Sequence, residues 1–103
     1  FTLAWTHSIE KIRWEEDYAA HGHELTLVEA RIRGSGAGME PPPGALLRNG
    51  AWHYRPARAP LARLVLARSD FTPDYELCFD GRCRSMAEVI AAAGPTSLEA
   101  CER

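Results

Sequence analysis

Residues 1–9 alternate between apolar and polar positions. Phe1, Leu3, Trp5, His7 and Ile9 share one face, and Thr2, Ala4, Thr6 and Ser8 share the other. A period of two is the mark of a half-buried strand. Residues 12–20 alternate again, with Ile12, Trp14, Glu16, Tyr18 and Ala20 on one face. A two-residue turn at Glu10-Lys11 would set Ile9 opposite Ile12, His7 opposite Trp14 and Trp5 opposite Glu16. His21-Gly22 marks the next reversal. The third strand, about 24–33, starts with Leu25 and Leu27 inward and then shifts phase to Ala30 and Ile32. Such a slip predicts a β-bulge near Val28 and Glu29.

The run Gly34-Ser35-Gly36-Ala37-Gly38 followed by Met39-Glu40-Pro41-Pro42-Pro43-Gly44 is a loop, because neither a helix nor a central strand tolerates it. Asn49-Gly50 predicts a tight hairpin that pairs Leu47 with Trp52, since both central residues need positive φ. Residues 61–68 read as a buried strand through Leu64, Val65, Leu66 and Ala67, and residues 74–79 as a strand with Tyr75, Leu77 and Phe79 on one face. Asp80-Gly81 is a second hairpin signal. Ser85-Met86-Ala87-Glu88 is a capping box that opens a helix, with Met86, Val89 and Ile90 on one side, and Gly94-Pro95 ends it. Thr96-Ser97-Leu98-Glu99 repeats the box before a last short turn of helix. The expectation is a mostly β fold, an antiparallel meander of about seven or eight short strands closed as a small barrel or a sandwich, with one or two short C-terminal helices.

At 103 residues, 46% hydrophobic and 25% charged, the chain fits a single domain, 1–103. The net charge of −2 argues against a nucleic-acid partner. No apolar run approaches the roughly 20 residues that span a bilayer. Phe1 already falls inside a strand pattern, so the chain reads as a mature secreted form or as a domain cut from a longer one, with any signal or anchor upstream. Residues 47–68 carry five arginines and no acid: Arg48, Arg55, Arg58, Arg63 and Arg68. The expected role of this island is to pair with acids on neighbouring strands. The competing role is a site for a small organic anion built on Arg55, Arg58 and Arg63, because the guanidinium fork suits carboxylates.

Three further groups of residues have chemistry to offer. With Asp80-Gly81 as the turn, Cys78 lies directly opposite Cys83, close enough for a disulfide if the compartment is oxidising. Cys101 is then left over. His7 and Glu16 become diagonal neighbours on the apolar face, and a His–carboxylate pair there could do acid–base work. Its plainer role is a buried hydrogen-bonded pair that holds the strand register. Gly36 and Gly38 could free backbone N–H groups for an anion nest, against the plainer role of a tight crossover. They match no phosphate-loop or dinucleotide pattern, and no cofactor is expected. His21-Gly22-His23-Glu24 sits at a turn tip, where solvated histidines are the default and a metal site is not expected. Trp5, Trp14 and Trp52 read as core anchors.

The run Trp5-Thr6-His7-Ser8-Ile9, then Glu16 nine residues after the histidine, then Gly36-Ala37-Gly38-Met39, resembles the DUF1850 family of domains of unknown function. The segment Arg68 to Cys83, with Phe71-Thr72-Pro73-Asp74-Tyr75-Glu76-Leu77, looks like a subset of the same family. The resemblance implies a context: proteins encoded beside tripartite (TRAP-type) solute transporters of the TAXI class and placed outside the cytoplasm, in the periplasm or cell envelope. It supplies no catalytic residues. The expected function is thus a non-enzymatic accessory or small-ligand-binding domain, with transporter subunits or a small organic anion as partners. The alternatives are a small hydrolase or lyase using His7 and Glu16, and a structural envelope domain whose membrane anchor lies upstream.

Overall fold

A computed structural model describes residues 1–6, 12–33, 44–56, 58–69, 73–91 and 94–101. These form β1 (Thr2–Thr6), β2 (Arg13–His21), β3 (Glu24–Arg33), β4 (Leu46–Arg48), β5 (Ala51–Tyr54), β6 (Arg63–Ala67), β7 (Glu76–Phe79), β8 (Arg82–Ser85), α1 (Met86–Val89) and β9 (Pro95–Glu99). Seven strands make one sheet in the order β4-β5-β3-β2-β1-β7-β8, and β6 pairs with β9 in a second. The pairings are antiparallel throughout. The large sheet stays open, with β4 and β8 at its edges. The architecture is a small sandwich and not a barrel.

The hairpins follow from local chemistry. Asn49 and Asp80 sit at φ +49°, each followed by a glycine at +76° or +79°. That left-handed pair is the two-residue turn whose twist matches the flanking strands. Leu47 faces Trp52, and Cys78 faces Cys83, as the spacing predicts. Between β2 and β3 the register moves from Asp17↔Glu29 to Tyr18↔Leu27, so Val28 is the extra residue of a bulge. It lets Leu25 and Leu27, then Ala30 and Ile32, all point into the protein.

The inner face of the large sheet supplies Leu3, Tyr18, Leu25 and Leu27 to the core. Leu66 of β6 and Met86 of α1 close over them, with Leu64 and Leu98 packed alongside. Trp5, Trp14, Ile32 and Trp52 line up in one row across β1, β2, β3 and β5. Trp5 stacks on Trp14 with ring centroids 6.3 Å apart.

Three expectations are corrected. Strand β6 is buried on one face only: Val65 is 65% exposed, because the two-strand sheet has solvent on its far side. Helix α1 runs for one turn, Met86–Val89, capped by the Ser85 side chain, and Ile90 is already extended. The second capping box is not a helix but strand β9. The Thr96 hydroxyl donates back to the Gly94 carbonyl and accepts from Arg68, so it does not cap. Among the described residues no helix is long and apolar enough to cross a membrane.

Candidate functional site

The register of β1 against β2 decides the fate of the acid–base pair. Trp5 faces Trp14 and Leu3 faces Glu16, two residues away from the expected alignment. The register that made His7 and Glu16 diagonal neighbours is therefore not the one formed. His7 itself lies outside the described residues. A two-residue slide leaves every side chain on its face, so alternation could not choose between the registers. Direct Trp5–Trp14 stacking and the Thr2 hydroxyl bonding Asp17 at 2.6 Å accompany the alignment adopted.

Glu16 stands on the inner face between Leu3 and Ala30. The Tyr18 hydroxyl donates to its carboxylate at 2.8 Å, and the Arg58 guanidinium lies 3.7 Å away. Burial raises the Tyr18 phenol well above its ordinary value, and the bond to Glu16 raises it further. Tyr54 and Tyr75 are raised too, first by burial and then by the Glu16 charge. The three phenols stay protonated at neutral pH; Tyr18 donates to the carboxylate, and Tyr54 and Tyr75 feel its charge.

The outer face of the same sheet is a charge lattice. Strand β2 presents Arg13, Glu15 and Asp17, and β3 presents Glu29, Arg31 and Arg33. Only the central cross-strand pair, Glu15↔Arg31, is of opposite sign; Arg13↔Arg33 and Asp17↔Glu29 are like-charged. Diagonal and same-strand bonds add to that one facing pair. Glu15 receives Arg31 at 3.0 Å, Arg33 at 3.1 Å and Arg13 at 3.0 Å. Arg31 also grips both oxygens of Asp17, at 2.5 and 2.6 Å, and reaches Glu29 at 3.1 Å. Arg13 adds Glu76 of β7 at 2.6 Å. Burial alone would raise the Glu15 carboxyl, but its bonds from Arg13 and Arg31 outweigh that and hold it below the usual carboxylate range. The Arg31 hydrogen bonds do the same to Asp17 against its partial burial. An open concavity of about 770 Å³ lies over this lattice, with the Cys78–Cys83 disulfide on its rim.

Arg55, Arg58 and Arg63 do not converge. Arg58 goes to Glu16, and Arg63 lies 3.8 Å from Glu99. Arg55 lines a separate hollow of about 430 Å³ with Arg48, His53 and Tyr54. Arg68 turns inward in phase with Leu64 and Leu66. Its guanidinium takes Asp74 in a two-point bond at 2.9 and 3.0 Å, the Thr96 hydroxyl at 3.1 Å and the Ile90 carbonyl at 3.0 Å. Gly36 and Gly38 lie outside the described residues, as does the rest of their loop. Among the described residues no group of three or more His, Cys, Asp or Glu side chains is arranged to hold a metal ion. Cys78 and Cys83 form a disulfide with Cα atoms 4.0 Å apart, and Cys101 is a free, exposed thiol.

The lattice and the Arg68–Asp74 pair were not singled out by sequence reasoning. The signal was present: the outward phase carries charge at three successive positions on β2 and at three on β3, six in all, which is more than solvation requires. Asp74 follows Pro73 six residues after Arg68, and nothing in that spacing marks a pair.

Comparison with curated proteins and with solved structures finds no match. A family model described as a domain of unknown function (DUF1850) matches residues 1–86, and the chain belongs to that family.

Proposed function

We propose that the domain is a non-catalytic accessory module that works outside the cytoplasm, in the periplasm or cell envelope, alongside a tripartite transporter of the TRAP/TAXI type. The observation that carries the non-catalytic reading is the state of its carboxylates. Glu15, Asp17 and Asp74 are each bonded by arginine and held ionised, and Glu16 is committed to Tyr18 and Arg58. Groups tied in this way make a rigid scaffold and poor proton shuttles. The Cys78–Cys83 disulfide suits an oxidising compartment. The transporter association rests on the family resemblance of the first forty residues.

Cross-linking in intact cells, followed by purification of the domain, tests the association. Transporter membrane or solute-binding subunits are expected among the products. Their absence from cells that express both would overturn it.

A further inference from the structure

The hairpin β7–β8 has two faces with different chemistry. On one face lies the Cys78–Cys83 disulfide. On the other, Phe79 pairs with Arg82 and Leu77 with Arg84, one row on each side of the disulfide. This second face is turned to the core side, but β8 is the last strand of its sheet and the cover is incomplete. Phe79 is 57% exposed, and Val89 of the adjoining helical turn is 54% exposed. Leu77, Phe79, Arg82, Arg84 and Val89 together line a groove of about 360 Å³.

The lining separates this groove from the hollow that holds Arg48 and Arg55. Both arginines there lack an acidic partner among the described residues, but Glu29 shares their hollow, whereas the residues lining this groove include no acid. Arg13, Arg31, Arg33, Arg58, Arg63 and Arg68 each lie against an acid. Arg82 and Arg84 have no acidic partner among the described residues. They stand two apart on one strand, so their side chains leave the same face about 6.5–7 Å apart. That spacing lets two guanidinium forks close on one carboxylate. The floor beneath them is apolar. The disulfide and the Asp80-Gly81 turn hold the hairpin register, so little ordering cost falls on a ligand.

We infer that this groove binds a small organic monocarboxylate with an apolar body. The carboxylate sits between Arg82 and Arg84, and the hydrocarbon or aryl body lies on Leu77, Phe79 and Val89. The volume is at the lower end for small-molecule sites, roughly 300–1,000 Å³, and suits a ligand of modest size. The site extends the reading of the domain as a binding module, and it is tested on the isolated chain without any transporter.

The experiment is calorimetric titration of the full 103-residue chain with 4-phenylbutyrate, with 4-phenylbutanol and sodium sulfate as controls. Binding of the carboxylate is expected, with neither control matching it. The R82Q/R84Q double variant is expected to keep its unfolding temperature and to weaken 4-phenylbutyrate binding by about tenfold or more, the scale of a charge-assisted hydrogen bond. F79S should weaken the carboxylate as well, which separates this groove from a bare charge site. Equal binding by R82Q/R84Q, sulfate binding as tight as the carboxylate, or no carboxylate binding at millimolar concentration would each overturn the inference. So would binding of an acidic peptide to the β8 edge with no response to the small acid. None of these outcomes bears on the cross-linking result, so the two readings fail separately.

Discussion

At the scale of single residues, the charge interactions converge on a few saturated carboxylates. Glu15 is 8% exposed and gathers three arginines. Glu15→Gln keeps the shape, removes the charge and leaves Arg13, Arg31 and Arg33 without their shared partner. The expected cost at pH 7 is about 2 kcal/mol by urea denaturation, the scale of hydrogen bonds to a charged group. The pH dependence has a definite sign. Glu15, Asp17 and Asp74 have folded-state pKa values below the ordinary ones. Their contribution is complete above about pH 5, where the unfolded carboxylates are ionised too. It is lost as pH falls through about 4 towards the lower folded values. The wild-type chain should therefore lose stability steeply below about pH 4, and the gap to Glu15→Gln should narrow there. A gap that stays constant from pH 7 to pH 3 would mean that the lattice does not contribute through charge. The role of Glu16 was partly legible: alternation placed it on an apolar face with Tyr18 two residues along the same strand, but its other partner, Arg58, comes from a connecting segment.

At the scale of elements, what could be read in advance was what local chemistry dictates. Asn49-Gly50 and Asp80-Gly81 impose positive φ and so name both the turn and the facing pairs. The phase slip in β3 named its bulge for the same kind of reason. The β1–β2 register was not legible, because two alignments two residues apart put the same side chains inside. Strand β9 was misread because a capping-box pattern says what a helix would need, and Gly94 and Arg68 offered the Thr96 hydroxyl better partners. The bulge gives the sharpest test at this scale. Deleting Val28 would straighten the pairing and force either Leu25 and Leu27 or Ala30 and Ile32 out of the core. All four are at most 9% exposed. Turning out the two leucines alone would cost roughly 3–6 kcal/mol, comparable with the whole stability of a small domain. The deletion is expected to abolish cooperative thermal unfolding. Val28→Ala, at a side chain 45% exposed, should stay within about 0.5 kcal/mol of wild type. Cooperative unfolding of the deletion variant would mean that β3 does not need its extra residue.

At the scale of the whole molecule, the question is what keeps a two-strand sheet on a seven-strand one. A lone two-strand ribbon is marginal in water. Strand β6 contributes Leu64 and Leu66 to the shared core, and β9 contributes Leu98. Backbone bonds between Leu25 of β3 and Leu61, just ahead of β6, make one polar tie. Arg68 makes another: it leaves the end of β6 and reaches Asp74 ahead of β7, Thr96 in β9 and the Ile90 carbonyl beyond α1. One buried guanidinium thus joins both sheets and the segment that links them. Replacing it with Met keeps an unbranched apolar stem and cuts all of the guanidinium's bonds, leaving the partly buried Asp74 with backbone N–H donors and no counter-charge. Hydrogen exchange followed by NMR should then show β6 and β9 amides losing protection first, while the central β2 and β3 amides keep theirs. That outcome would make the small sheet a separately opening unit hinged on Arg68. Equal loss across β2, β3, β6 and β9 would instead mean that the two sheets open together, with Arg68 supporting the global fold. The groove at Arg82 and Arg84 lies on the large sheet. Under the first outcome its carboxylate binding should survive the Arg68 replacement, and under the second it should be lost with the fold.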